Sequence, residues 1–194
     1  MGTAKHTSMK SLDTASLGTA SLDTASLHPA TQSLKKAVYA GTFDPITNGH
    51  RDIVVRALGV FDFVYIAVAA STSKEVIFST EERVSLCKGA VEDIGDRVRV
   101  ESFDGLLVDY VHEVGSSVII RGIRAVTDYE YEAQLAVTNR HLAPDIETVF
   151  LMTSDHTSFI SSSIVRQVAR FGGDVTQMVP PNVAQRLLAM NRKA

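Results

Sequence analysis

Three polar motifs in this 194-residue chain combine residue types that bind phosphate, and the first of them surrounds His50. It follows an apolar run (37–40) that predicts a buried strand, and a turn signature separates the two. Asn48 is a good helix cap, so we expect Gly49 and His50 to open a helix. The first turn of a helix offers free N–H groups and a positive partial charge, and a histidine can carry charge near neutral pH. The motif therefore predicts a phosphate site; the alternative is a histidine that only caps the helix.

The second motif places Arg121 and Arg124 directly after the apolar run 118–120, which also predicts a buried strand. An arginine can hold a phosphate group through two parallel hydrogen bonds. The pair therefore predicts a second anion contact at the end of this strand. The alternative is a set of surface ion pairs with Asp128 or Glu130.

The third motif is a run of serines, Ser161 to Ser163, before an apolar helical pattern. Serines are favoured at helix starts, where hydroxyls and free N–H groups can hold an anion. Lys74, among small hydroxyl residues after the predicted strand 64–69, is a fourth candidate. Simple helix capping and a solvated loop lysine are the respective alternatives.

Strand-like and helix-like segments alternate along the chain and predict a doubly wound α/β fold with a parallel sheet. In such sheets ligands bind beyond the carboxyl ends of the strands, where all the candidate residues fall. The predicted strands are 37–40, 64–69, 98–103, 118–120 and 148–152. The predicted helices begin at 49 and cover 79–94, 106–114, 128–142, 162–171 and 182–190.

Composition narrows the function classes. The formal net charge of −3 disfavours general nucleic-acid binding, and no apolar run is long enough to span a membrane. The single cysteine, Cys87, predicts an inert, buried thiol and suits a reducing cytoplasm. No cluster of histidines, cysteines or carboxylates predicts a metal site built by the protein alone.

Residues 1–34 differ in composition from the rest of the chain. The segment 11–17 recurs almost unchanged as 21–27, and both copies consist mostly of small residues. Such a sequence has too few bulky side chains to form a core. We therefore expect a disordered, low-complexity extension over 1–34 and one folded domain over 35–194.

The motifs together carry a family resemblance. Thr47 to His50 resembles the T/HxGH signature of the nucleotidyltransferase superfamily. The longer stretch 41–50, the RGxRA stretch at 121–125 and the ISSSxxR stretch at 160–166 occur in the order found in bacterial phosphopantetheine adenylyltransferases. The resemblance spans about residues 36 to 192 and implies the Rossmann-like nucleotidyltransferase fold.

The resemblance implies transfer of AMP from ATP to 4′-phosphopantetheine, giving dephospho-coenzyme A and pyrophosphate. It further implies Mg²⁺ arriving with ATP, a homohexamer, and His50 as the catalytic residue. Thr157 stands where an aromatic residue is common in the family. The implied ATP-binding residues are Thr42, Phe43, His50, Gly122, Ile123, Arg124, Glu132, Thr157, Ser158, Phe159, Ile160, Ser161, Ser162 and Ser163. The implied acceptor-binding residues are Thr42, Lys74, Leu107 and Arg121.

Two other functions stay open. One is a sister nucleotidyltransferase, such as a nicotinamide mononucleotide adenylyltransferase or a glycerol-phosphate cytidylyltransferase. Thr47 and the Arg121 motif disfavour it. The other is a non-catalytic ATP-binding domain of the same fold, which the joint presence of His50, Lys74 and Arg121 disfavours.

Overall fold

The computed structural model describes residues 34–71 and 75–191 of the chain. The predicted extension at 1–34, apart from its last residue, and the candidate Lys74 lie outside the described residues. The division into 1–34 and 35–194 therefore stays a prediction.

Within these two ranges, five parallel strands form one sheet: β1 (Lys36–Gly41), β2 (Phe63–Ala69), β3 (Val98–Phe103), β4 (Val118–Ile123) and β5 (Glu147–Met152). The strand order is β3-β2-β1-β4-β5, so the direction of winding reverses between β1 and β4. This confirms the predicted doubly wound parallel sheet. Strand β4 runs further than predicted, because Arg121 to Ile123 pair with Phe150 to Met152 of β5.

In the described part of the chain, six helices connect and flank the strands: α1 (Asn48–Ala57), α2 (Thr80–Ala90), α3 (Leu107–Glu113), α4 (Val126–Leu142), α5 (Ser162–Arg170) and α6 (Pro181–Asn191). All six match predicted helices within a few residues. The predicted helix 79–94 is too long, because the backbone leaves helical geometry at Val91, which buries its side chain in the core. A single 3₁₀ turn, Glu92–Ile94, follows. None of the described helices is both long and apolar enough to cross a membrane.

The core has two layers because side chains alternate between the faces of a strand. In β1, Ala37 and Tyr39 pack in the layer that contains residues of α1, α2, α5 and α6. Val38 and Ala40 pack in the opposite layer, with residues of α3. Cys87 is buried, as predicted, and burial raises the pKa of its thiol. Packing on both faces holds the five strands in place, so that the candidate residues meet at the carboxyl ends of the strands.

Candidate active site

Helix α1 begins with a capping box that sets the protonation of His50. The hydroxyl of Thr47 accepts the His50 backbone N–H, and His50 Nδ1 accepts the Thr47 backbone N–H at 3.0 Å. The cap is therefore Thr47 and not the predicted Asn48, whose side chain donates instead to the Gln177 carbonyl. Because a backbone N–H can only donate, Nδ1 carries no proton, and the neutral ring holds its proton on Nε2.

His50 is neutral at physiological pH. Its half-buried ring lies edge-on to Phe43, with ring centroids 5.1 Å apart. Burial, followed by the positive charge of Arg124, lowers the His50 pKa from 6.5 to about 4. The prediction that His50 carries charge near neutral pH is therefore wrong for the free protein, because the ring is removed from water beside a cation. His50 is a neutral Nε2–H donor.

A cavity of about 730 Å³ opens at the carboxyl ends of the strands, where the candidate residues were expected. It is lined by residues from all three motifs. Of the implied site residues, those that line it are Thr42, Phe43, His50, Leu107, Arg121, Gly122, Arg124, Glu132, Ile160, Ser161, Ser162 and Ser163.

Four of the implied residues that the structure describes do not line this cavity. Ile123 is buried at the end of β4, and Thr157 and Ser158 bond back to carbonyls of their own turn. Phe159 is 62% exposed. The ATP contacts implied for Ile123, Thr157, Ser158 and Phe159 thus stay predictions.

The two arginines of the second motif are each paired with a carboxylate of α4. Arg124 Nε lies 3.1 Å from Asp128, which realises the ion-pair alternative while Arg124 still lines the cavity. Arg121 Nε lies 3.4 Å from Glu132, and another Arg121 nitrogen donates to the Ala40 carbonyl at 3.2 Å. The arginines are therefore held in place at the cavity wall before any anion binds.

The start of α5 forms another part of the wall, next to Arg124, which donates to the Ile160 carbonyl at 3.4 Å. Ser161 is the cap, and its hydroxyl accepts the Ile164 N–H at 3.1 Å. The Ser162 hydroxyl donates to the Pro45 carbonyl at 2.8 Å. Two of the three serine hydroxyls thus form hydrogen bonds within the protein. The remaining groups for an anion are the Ser163 hydroxyl and the N–H groups of the first helical turn, which have no partner within the helix.

Asp44 is a site residue without a functional signal in the sequence, because an Asp-Pro pair predicts only a turn. Its carboxylate is 2% exposed and accepts the backbone N–H groups of Ile77 and Phe78 at 2.9 and 3.1 Å. Arg166 of α5, also in the cavity wall, donates to the Asp44 carbonyl at 2.5 Å and lies 3.3 Å from the carboxylate. Asp44 therefore joins the first motif to α5 and to the segment before α2.

Further cavity residues extend the site beyond the motifs. Tyr39 lines the cavity with its ring centroid 6.3 Å from that of His50, and Val76, Phe103 and Leu107 line the part that follows β2 and β3. Leu107 is an implied acceptor contact, whereas the other three have no signal in the sequence beyond their places in or after predicted strands. Within 34–71 and 75–191, no group of three or more histidines, cysteines or carboxylates could hold a metal ion.

The comparisons with known proteins agree with this architecture. Residues 38–168, more than half of the chain, match the cytidylyltransferase-like family model. The chain is also similar to a protein assigned as a nicotinate-nucleotide adenylyltransferase from Vibrio parahaemolyticus, with 16% identity and a TM-score of 0.62. That similarity covers 80% of this chain and 99% of the other.

A bifunctional NMN adenylyltransferase/ADP-ribose pyrophosphatase from Francisella tularensis is similar at 15% identity and a TM-score of 0.63. A second structure of it, complexed with AMP and a manganese ion, has 16% identity and a TM-score of 0.61. Each similarity covers 81% of this chain, which spans about half the length of the Francisella chain, 49%. At these identities the similarities establish the fold. Together with the family match, the parallel sheet and the cavity at its switch point, they show that the chain belongs to the cytidylyltransferase-like family of the nucleotidyltransferase superfamily.

Proposed function

We propose that this protein transfers AMP from ATP to 4′-phosphopantetheine, giving dephospho-coenzyme A and pyrophosphate. The observation that carries the proposal is the joining, in one cavity, of a neutral Nε2–H donor on His50 with two anion-binding walls. Those walls are formed by Arg121 of β4 with Arg124 directly after it, and by the start of α5. The residues of the three sequence motifs, which resemble those of phosphopantetheine adenylyltransferases, support the choice of acceptor.

In the proposed reaction, an oxygen of the acceptor phosphate attacks the α-phosphorus of ATP. A new P–O bond forms while the bond between the α-phosphorus and the bridging oxygen to the β-phosphate breaks, and pyrophosphate leaves with the electron pair. The acceptor phosphate is already ionised at neutral pH, so no protein base has to remove a proton. Catalysis then consists of positioning the two substrates and stabilising the negative charge that develops.

His50 has the properties that this chemistry requires. Its Nδ1 is occupied by Thr47, so the Nε2–H is the one ring group left to donate toward a phosphate oxygen. The hydrogen bond with Thr47 fixes the ring before substrate binds, so little reorganisation is needed in the transition state. A neutral donor can stabilise developing charge without binding the ground-state phosphates strongly.

The two sides of the cavity suit two different ligands. The start of α5, with Ser163 and Arg166, is suited to the β- and γ-phosphates, which become the leaving group. The opposite side combines Arg121 with the apolar Val76, Phe103 and Leu107, which suits a phosphate followed by a long, partly apolar arm. Lys74 remains the further acceptor-phosphate contact predicted from the sequence.

Mg²⁺ is proposed to enter as a complex with ATP. The cavity carboxylates Asp44, Asp128 and Glu132 each pair with an arginine, so the residues fit an ion whose ligands come mainly from phosphate and water. Among the described cavity residues, Glu75 and hydroxyls such as those of Thr42 and Ser163 are oxygen groups that could hold it. When bound, the ion would neutralise phosphate charge.

A sister activity with a nicotinate or nicotinamide mononucleotide acceptor is the second candidate. The names of the similar structures favour it, while Thr47 and the Arg121 motif favour phosphopantetheine. The acceptor is a phosphate monoester in either case, so the two candidates share the ATP chemistry and differ at the wall formed by β2 and β3.

An acceptor screen tests the proposal. The full chain is incubated with ATP, Mg²⁺ and one acceptor at a time, and pyrophosphate release is followed. The acceptors are 4′-phosphopantetheine, nicotinamide mononucleotide, nicotinate mononucleotide and glycerol 3-phosphate (with CTP as the donor for the last). We expect release with phosphopantetheine alone. Release with a mononucleotide instead supports the sister activity, and ATP binding without release supports a non-catalytic domain.

A further inference from the structure

Arg83 of α2 is a buried cation whose hydrogen-bond partners are all uncharged. The residue is 1% exposed. One terminal nitrogen donates to the carbonyls of Thr42 and Ala69, both at 2.8 Å, and the other donates to the Thr80 hydroxyl at 3.0 Å. Its Nε donates to the Phe78 carbonyl at 3.3 Å. Among the residues that the structure describes, Arg83 has no carboxylate in ion-pair contact. A buried charge without a counter-charge is costly, so it calls for an explanation.

The partners of Arg83 lie at the wall of the cavity although Arg83 itself does not line it. Thr42 directly follows β1, Ala69 ends β2, and both line the cavity. Phe78 and Thr80 stand at the start of α2, after the connection whose residues Ser71, Glu75 and Val76 also line it. One guanidinium therefore ties together both strand ends and both ends of this connection.

The charges around the cavity leave Arg83 in a special position. The three arginines that line the cavity are each paired with a carboxylate: Arg121 with Glu132, Arg124 with Asp128, and Arg166 with Asp44. His50 is neutral. Arg83, directly behind the wall, is thus a positive charge that none of these carboxylates offsets. It also neutralises two carbonyl oxygens whose negative partial charge would otherwise oppose a phosphate.

We propose that Arg83 is a positioning residue of the site: its charge raises the affinity of the cavity for phosphate, and its hydrogen bonds fix the ends of β1 and β2. That the phosphates belong to ATP and its acceptor rests on the proposed function. Arg83 touches no substrate and acts through Thr42 and the connection after β2.

Arg97 provides a matched control. Its guanidinium also holds three backbone carbonyls, those of Leu58, Phe61 and Asp62, at 2.7, 2.8 and 3.0 Å. These carbonyls lie before the start of β2, at the opposite end of the sheet from the cavity. Loss of Arg97 therefore removes the same kind of contact without touching the site.

The test compares Arg83→Met, Arg83→Lys and Arg97→Met in the full chain. Thermal melting first shows the temperature at which each variant is folded. Binding of inorganic pyrophosphate is then measured by calorimetry at that temperature, and kcat and KM are measured with ATP and 4′-phosphopantetheine. Pyrophosphate is the probe because its binding does not depend on which acceptor the enzyme uses.

We expect Arg83→Met to weaken pyrophosphate binding by about tenfold, because the buried charge attracts the anion across the cavity wall, where the dielectric constant is lower than in water. Arg83→Lys retains the charge and loses the fork of donors, so it should bind pyrophosphate within about threefold of wild type while kcat falls by about tenfold. Arg97→Met should have a lower melting temperature, with its pyrophosphate affinity and its kcat unchanged.

Equal pyrophosphate affinity and equal kcat in wild type and both Arg83 variants would overturn the proposal and leave Arg83 a purely structural residue. If Arg83→Met does not fold, kcat of Arg83→Lys is compared with kcat of Arg97→Met. A fall in kcat in Arg83→Lys alone supports the proposal, and equal kcat values overturn it. If wild type transfers nothing to phosphopantetheine, the proposed function fails, and pyrophosphate binding by the same variants still decides the role of Arg83.

Discussion

At the scale of single residues, the protonation of His50 follows from its backbone partner as well as from its surroundings. The Thr47 N–H requires an unprotonated Nδ1, and burial beside Arg124 disfavours the charged ring. The same hydrogen bond that starts α1 therefore orients the ring and leaves its Nε2–H available for a phosphate oxygen. Burial beside Arg124 favours the neutral ring, and the hydrogen bond from Thr47 selects its tautomer.

His50→Ala should bind ATP nearly normally and lose turnover. A donor that matters only as charge develops lowers kcat and leaves ground-state binding unchanged. Loss of one such donor costs on the order of 10²–10³ in kcat, or roughly 3–4 kcal/mol. Steady-state kinetics and ATP calorimetry measure the two effects. Near-normal turnover with weakened ATP affinity would instead make His50 a simple phosphate anchor.

Stability should depend on pH through His50. The pKa of the ring is about 4 in the folded protein and 6.5 when exposed, so below pH 6.5 the unfolded chain binds a proton that the folded protein does not. This contribution is present above pH 6.5 and is lost as the pH falls through 4, by at most about 3 kcal/mol. Urea unfolding of wild type and His50→Gln should show the difference shrink over that range. A pH-independent difference would contradict a neutral, half-buried ring.

Arg121 and Lys74 should act on the acceptor more than on ATP. Arg121 lines the cavity beside the apolar side chains assigned to the acceptor arm, and Lys74 is assigned there from the sequence. Changing either residue to Ala should raise the KM for phosphopantetheine by about tenfold or more, the cost of a charged hydrogen bond. The KM for ATP should stay within about twofold. A selective defect in ATP binding would reverse the assignment of the two sides.

The residues that the sequence predicted are those whose signal is local. An apolar run before His50, two arginines after a strand and three serines before a helix each mark a strand end or a helix start. Asp44 and Arg83 could not be predicted in this way. Two of the partners of Asp44 are 33 and 122 residues away along the chain. The sequence of α2 does not distinguish Arg83 from the charged residues of a solvent-exposed helix face.

At the scale of elements, Asp52 joins α1 to the loop after β5. Its carboxylate accepts the Ser154 backbone N–H and the Ser154 hydroxyl, both at 2.9 Å. That loop leads to the serines at the start of α5. Asp52 therefore connects the helix that carries His50 to the segment assigned to the phosphates of ATP.

Asp52→Ala should raise the KM for ATP with little change in the KM for the acceptor, because it frees the loop on one side of the cavity. It should also lower the free energy of unfolding by roughly 1.5–3 kcal/mol. Asp62→Ala is the matched control, since Asp62 accepts the Lys35 N–H at 2.8 Å away from the site. An equal rise in the KM for ATP in both variants would show a general loss of stability.

The sequence predicts the boundary of a helix or strand where a single local pattern determines it. The capping box at Ser79 and Glu82 starts α2 as predicted. The end of β4 was missed because Arg121 and Gly122 have no strand signal of their own and are held in the sheet by pairing with β5. Tertiary pairing of this kind lies outside any local pattern.

At the scale of the whole molecule, α4 is a long helix with no buried side chain among those described. Val126 and Val137 are 86% and 71% exposed. Exposed apolar residues on one helix suit an interface with further copies of the chain, and the predicted homohexamer would need such a surface. We propose that α4 lies in that interface.

Sedimentation of the full chain should therefore show a particle several times heavier than the 21.0 kDa monomer. Val137→Glu should shift it to smaller species, because the carboxylate would have to be buried without a partner. Val60→Glu, at a turn where Val60 is 60% exposed, should leave the particle unchanged. A monomeric wild type would contradict the prediction.

The repeat segment at 1–34 should be dispensable, since its composition cannot support a packed core and all three motifs follow it. A chain that starts at Lys35 should keep its melting temperature and its turnover. A loss of several degrees, or of most of the activity, would show that the segment contributes to the domain or to its assembly.

The most direct test of adenylyl transfer to phosphopantetheine follows the α-phosphorus of ATP. The full chain is incubated with Mg²⁺, 4′-phosphopantetheine and ATP labelled at the α-phosphate, with His50→Ala as the control. The account predicts that the label passes into dephospho-coenzyme A while unlabelled pyrophosphate is released, and that the His50 variant does so at least about a hundred times more slowly. Label that stays in ATP or AMP, with no labelled acceptor formed, would contradict adenylyl transfer to phosphopantetheine.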